Sequence, residues 1–284
     1  MNRAFEETLR VQASGAMRRL VAFIAFAIPL GFSQLAVGQL FQRVVDIPAR
    51  PSVTQRFGYL TPANPKAAVI LFAGGDGSLQ IAPDGGFTQK RDNFLVRTRQ
   101  QFVEKELSVA VIDAPSDRQT PPFLDGFRQR PEHVADIKGV IAWLKQQGQV
   151  PVWLVGTSMG TLSAAFIATQ LGVSEGGPDG LVLTSTVLVR PRVSPGIRPV
   201  PGMPLDKLAI PVLVVHHEQD GCGVCEYQHI PRLMGKINAV SKKELLTFKG
   251  GYSRGDPCGG LAYHGFNGIE KDVVEKIAAW IQSH

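Results

Sequence analysis

The pentapeptide Gly156-Thr157-Ser158-Met159-Gly160 sets a serine between two glycines, each two positions away. A serine hydroxyl is a poor nucleophile by itself and needs an adjacent base. The G-x-S-x-G pattern is weak alone, so its surroundings decide its meaning. An apolar run at 151–155, Pro-Val-Trp-Leu-Val, precedes it and an alanine-rich helical pattern at 161–171 follows. A sharp strand–turn–helix elbow would hold Ser158 in an unfavourable backbone conformation, with the flanking glycines leaving room for neighbouring strand and helix. The competing reading is an ordinary strand-to-helix turn capped by a serine.

A base and an orienting acid can be sought in the other strand-end loops. His264 lies in Ala-Tyr-His-Gly-Phe, ahead of the last amphipathic segment. Asp220 follows the apolar run 210–217 by three residues. A carboxylate there could fix the tautomer of His264 and stabilise its cation. Rivals for the base are His133, His216, His217 and His229; rivals for the acid are Asp113 and Glu218. Backbone N–H groups would receive the oxyanion. One belongs to Met159, directly after the nucleophile. The other comes from the glycine loop Ala73-Gly74-Gly75-Asp76, with Gly75 as first choice and Asp76 in reserve. A plain glycine turn is the alternative there. A histidine base predicts that kcat/KM falls as pH drops through roughly 6 to 7.

Three cysteines flank the acid and the base. Cys222 lies two residues after Asp220, and Cys258 six before His264. If Asp220 meets His264, a Cys222–Cys258 disulfide would tie the two loops together, stabilising by roughly 3 to 4 kcal/mol on the chain-entropy model. Cys225 would then be free or exchange roles with Cys222; three reduced thiols is the other possibility. Cys222-Gly-Val-Cys225 has C-x2-C spacing, so a competing reading takes His216, His217, Asp220, Cys222, Cys225 and His229 as a metal cluster. No second pair completes it, and consecutive histidines on a strand face opposite ways. No metal and no cofactor are expected.

The elements that must position these groups are readable from periodicity. Short apolar runs at 44–47, 52–60, 67–72, 107–112, 151–155, 180–184 and 210–216 predict strands. Helical patterns at 131–147, 161–171 and 268–283 lie among them. The alternation predicts an α/β fold, a mostly parallel central sheet with helices on both faces. The proline-rich stretch 190–204 is too short and polar for a helical lid domain. The chain has 284 residues with 44% hydrophobic and 19% charged, an ordinary globular composition. Its formal charge is +6, to which Arg3, Arg10, Arg18 and Arg19 contribute against Glu6 and Glu7. No Lys/Arg run suggests a nucleic-acid patch. Met17-Arg-Arg19, the apolar stretch 20–32 and Ala36-Val-Gly38 read as a signal peptide over 1–38, with Met17 as a second possible start. The mature domain is then 39–284, exported to a bacterial periplasm or beyond, with no stable membrane span; an uncleaved anchor is the alternative.

The serine elbow, the acid loop and the histidine loop, in the order Ser158, Asp220, His264, resemble the α/β-hydrolase superfamily over nearly all of 44–284. A closer resemblance, to exported bacterial serine hydrolases, rests on Asp113-Ala-Pro-Ser-Asp117, Pro131-Glu-His-Val-Ala-Asp-Ile137, Gly156-Thr-Ser-Met-Gly-Thr161 and His216-His-Glu-Gln-Asp-Gly-Cys222. Many superfamily members carry His-Gly at the oxyanion loop, where this chain has Ala73-Gly74. The resemblance implies hydrolysis of a small carboxylic ester by Ser158, His264 and Asp220 through an acyl-enzyme. A peptidase or amidase, or a catalytically silent binding protein, are the alternatives. It leaves oligomeric state open.

Overall fold

Eight strands form one sheet in the order β1-β2-β4-β3-β5-β6-β7-β8. The computed structural model describes residues 42–191 and 196–284, all within the unit Gly38–His284. The signal segment expected over 1–38 lies outside the described residues. The strands are β1 (Arg43–Arg50), β2 (Val53–Leu60), β3 (Ala67–Phe72), β4 (Leu107–Ile112), β5 (Val152–Thr157), β6 (Gly180–Thr184), β7 (Val212–His217) and β8 (Lys243–Phe248). Pairing is antiparallel at β1–β2 and β2–β4 and parallel from β4 to β8. Every residue of β3 to β7 is buried, because helices cover both faces. That is why these strands read as nearly continuous apolar runs.

The helices are α1 (Phe94–Glu104), α2 (Pro131–Gly148), α3 (Gly160–Gln170), α4 (Ile230–Lys236) and α5 (Glu270–Gln282). On one face Ile70, Leu154, Leu183 and Val214 pack with Ile137 and Ile141 of α2 and Leu162 of α3. On the other, Val69, Val155, Val182 and Val215 pack with Phe102 of α1 and Val273 and Ile277 of α5. α1, α4 and β8 go beyond the elements expected from periodicity. β1 runs longer than 44–47 and carries Pro48 at the sheet edge, where its missing N–H costs no ladder bond and the register shifts. Among the described residues the 185–211 connection contains only single 3-10 turns, so no lid domain is seen there.

Chain order places the crevice. From β3 the chain moves to β4 on one side, then crosses back to β5 on the other. The loops leaving β3 and β5 therefore diverge, and ligands of open parallel sheets bind beyond the carboxyl ends of strands at such a switch point. Gly74 and Gly75 follow β3; Ser158 follows β5.

Candidate active site

Ser158 sits between β5 and α3 with φ of 53°, in the left-handed region. Neighbouring groups hold it there: its N–H donates to the Thr184 carbonyl at 3.1 Å, and its carbonyl accepts from the Thr161 N–H at 2.9 Å and hydroxyl at 2.6 Å. A side chain at Gly156 would approach the Gly160 carbonyl oxygen to 2.6 Å, and one at Gly160 would run into the Phe72 carbonyl. The elbow thus needs both glycines, and the simple capping turn is excluded: Ser158 makes no capping bond, and Met159 is the residue that precedes the helix.

Asp220 lies just past β7, its N–H bonded to the His217 carbonyl at 3.1 Å. His264 occupies a single 3-10 turn, Tyr263–Gly265. Its carbonyl accepts from the Ser185 hydroxyl at 2.6 Å, and the neighbouring Gly265 carbonyl accepts from Arg97, which also pairs with Glu270. So held, the His264 Nδ1–H donates to the Asp220 carboxylate, 2.8 Å from Oδ2 and 3.1 Å from Oδ1. Burial raises the Asp220 pKa, but hydrogen bonds from His216 and His264 outweigh it and hold the value down at about 2. Asp220 is therefore an anion at any ordinary pH.

Ser158 and His264 line one cavity of about 50 Å³, together with Gly74, Gly75, Asn93 and Cys258. They are not hydrogen-bonded to each other. The buried Nε2 of His264 makes no hydrogen bond within the protein, and the Ser158 side chain lies close to the Cys225 thiol. Loose nucleophile–base contacts are common in unliganded sites and tighten with substrate. Gly75 has φ of 60° and Gly74 stands against the Ser158 side chain. Met159 precedes the first residue of α3, so its N–H has no acceptor inside the helix. Asp76, the reserve donor, turns its carboxylate to Lys90 at 3.0 Å.

The rivals have other work. The Asp113 carboxylate accepts four backbone N–H bonds, from Leu79, Gln80, Ile81 and Ala114, and so shapes the segment after the glycine loop. Glu218 pairs with Lys249. His217 donates from Nε2 to the Gly250 carbonyl, accepts the Gln219 N–H and stacks on Tyr263. His229 lies beside Glu226. His216, on the opposite face from His217, donates from Nε2 to the Cys225 carbonyl at 2.6 Å and sits 3.4 Å from Asp220. The six-residue metal cluster is thus not assembled.

His133 is fully buried between Phe72 and Phe127. Burial, then the nearby Arg128 and Arg50, push its pKa down to about 3. The folded value lies below the unfolded value of about 6.5, so as pH falls the unfolded chain takes up the proton first. The stability that a neutral His133 provides is whole above about pH 6.5 and drains away toward about pH 3. Asp220, also depressed, acts in the same direction over the lower window from about 4 to about 2. We expect His133→Phe to remove about 3 kcal/mol of the stability lost between about pH 7 and about pH 4. Urea midpoints at the two pH values check this, and an unchanged difference would refute the role.

The Cys222–Cys258 disulfide is formed and Cys225 is a free, buried thiol. Burial, with Asp220 close by, pushes the Cys225 thiol well up. Sequence reasoning missed two more site residues. Asn93, next to Gly74, could have been noticed as a helix-start residue before the apolar run 94–96. Arg128 carried no signal. It is buried, donates to the carbonyls of Ala73 and Gly75 at 3.0 Å and to the Ser163 hydroxyl, and so pins the glycine loop. A hollow of about 710 Å³ at the opposite end of the strands, beside Arg43, Tyr59 and Ser108, contains no carboxylate, imidazole or thiol.

The same architecture occurs in solved proteins. An alpha-beta serine hydrolase homologue from Coxiella burnetii superposes with a TM-score of 0.56 at 17% identity, covering 85% of this chain and 98% of the other. An esterase from Pyrococcus furiosus gives 0.61 at 12% identity, covering 85% and 90%. Est1E from Butyrivibrio proteoclasticus, with ferulic acid bound, gives 0.57 at 16%, covering 84% and 98%. This chain has the α/β-hydrolase fold. Identities this low establish the architecture alone, and function must be argued from the site. No protein-family model matches the sequence, and no curated protein does.

Proposed function

We infer that the protein is an exported serine hydrolase that cleaves a carboxylic ester through an acyl-enzyme. The observation that carries this is the Asp220–His264 pair, 2.8 Å apart and sharing a cavity with a serine held at positive φ. Export follows from the basic and apolar pattern over 1–38. The named esterases and serine hydrolases of the same fold support the chemistry.

In this mechanism His264 Nε2 takes the proton of Ser158 as its oxygen attacks the ester carbonyl, and Asp220 stabilises the imidazolium that forms. The N–H groups of Met159 and Gly75 receive the oxyanion, with Arg128 fixing the second by holding its loop. His264 then protonates the leaving alcohol, and water, activated by the same nitrogen, releases the acid. Labelling with a fluorophosphonate tests the reading directly: adduct on Ser158, with hydrolysis of simple esters, is expected, and an unlabelled serine defeats it. Turnover of peptide but not ester substrates would favour the amidase.

The cavity that Ser158 and His264 share is small, about 50 Å³. We expect an acetyl ester to exceed the octanoyl ester of the same alcohol by at least about tenfold in kcat/KM. A chain-length series of p-nitrophenyl esters measures it; a preference for the long chain would show that the acyl group binds elsewhere.

A further inference from the structure

Two cysteine sulfurs and the imidazole of His264 converge beside the cavity that Ser158 lines. One donor atom from each of Cys222, Cys225 and His264 lies within 4.8 Å of the other two, and all three residues are buried. The fourth donor, Cys258, is bonded to Cys222 and borders the cavity shared by Ser158 and His264. His264 presents an Nε2 that is buried and makes no hydrogen bond within the protein, while its Nδ1–H is fixed on Asp220. Ligating histidines usually have this arrangement, one nitrogen free for the ion and the other anchored on a carboxylate. The disulfide is lopsided: Cys222 is buried but Cys258 is exposed, so a reductant reaches the Cys258 end.

We propose that reduction of Cys222–Cys258 turns this pocket into a Cys3His site for a thiophilic divalent cation such as zinc. Its ligands are Cys222, Cys225, Cys258 and the Nε2 of His264. Three thiolates and an imidazole form a closed tetrahedral set of the kind zinc favours over calcium or magnesium. With a phosphine as reductant, the sulfur–sulfur bond is cleaved, phosphorus is oxidised to the phosphine oxide, and water supplies its oxygen and the two thiol protons. The cation then displaces three thiol protons as it forms three bonds to sulfur and one to nitrogen. Once Nε2 is bound to the ion it cannot accept the Ser158 proton, so hydrolysis stops. That last consequence rests on the proposed function; the binding itself does not.

The test titrates the full-length protein, oxidised and phosphine-reduced, with cobalt(II), then zinc(II), and follows the fold by circular dichroism. Expected for the reduced protein is one cobalt per chain, with thiolate-to-cobalt charge-transfer bands and a tetrahedral visible spectrum that zinc abolishes. The oxidised protein should show neither. Ser158→Ala should bind as the wild type does, whereas Cys225→Ser and Cys258→Ser should weaken binding by about 100-fold or more. Zinc should suppress ester turnover of the reduced enzyme only. The site is refuted if the reduced chain binds no stoichiometric cobalt, loses its fold before metal is added, binds no better than the oxidised chain, or is unaffected by Cys225→Ser. Cobalt bound as expected by a chain with no ester turnover in either redox state would uphold the metal site and defeat the hydrolase reading.

Discussion

Replacing Ser158 by alanine is expected to lower kcat for a short-chain ester by at least about 1000-fold, with KM little changed. The loss should be this large because the three groups act as a unit: without the hydroxyl, neither the imidazole nor the carboxylate has a nucleophile to serve. Residual turnover above the uncatalysed rate should persist, since the Met159 and Gly75 N–H groups still face a bound carbonyl. Structural damage should be slight. The elbow is held by backbone bonds from Ser158 to Thr184 and Thr161, which alanine retains. The side chain gives up only its contact with the Cys225 thiol. Steady-state kinetics on the purified protein, with thermal unfolding as a control for folding, measures this. Activity within tenfold of wild type would remove Ser158 from the mechanism.

What was readable in the sequence followed burial. β3 to β7 have apolar side chains on both faces, so each is a run that composition alone reveals. α2 and α5 each bury one stripe at helical spacing. β8, Lys-Glu-Leu-Leu-Thr-Phe, lies at the sheet edge with none of its residues buried, and has neither alternation nor an apolar run. α1 was hidden by Arg97 and Arg99, charged residues on a helix whose Arg99 is nonetheless buried, its guanidinium on the Val96 carbonyl and over the Phe87 ring. At the site, Ser158, Asp220 and His264 were legible because each follows or precedes a recognisable element at a set distance. Arg128 was not, and neither were the partners that Cys225 and His216 would meet. Each acts through a contact across the fold, Cys225 with Ser158, His216 with Asp220 and Arg128 with Ala73 and Gly75, and no local spacing encodes which distant loop a side chain will meet.

Asp220→Asn should be as damaging as loss of the nucleophile, at about 10,000-fold in kcat, although it changes one atom. The carboxylate is used on both sides. Oδ1 accepts the Cys222 N–H at 2.9 Å; Oδ2 accepts His264 Nδ1–H at 2.8 Å and faces His216 Nε2 at 3.4 Å. His216 must carry its proton on Nε2, because that atom donates to the Cys225 carbonyl. An asparagine has one acceptor and one donor group, so it fails one side whichever way it turns. With its NH2 toward the histidines, His264 is driven to the tautomer protonated on Nε2, which cannot take the serine proton. With its NH2 toward Cys222, a buried N–H is left unpaired at a cost of about 1 to 3 kcal/mol. In that orientation the tautomer survives, but the negative charge that stabilises the imidazolium is gone. Either way the rate of fluorophosphonate labelling at Ser158 should fall along with kcat, because both report the same activated hydroxyl. Labelling at the wild-type rate with kcat reduced would show that Asp220 acts after the attack, and both rates intact would show that it has no part in activating Ser158.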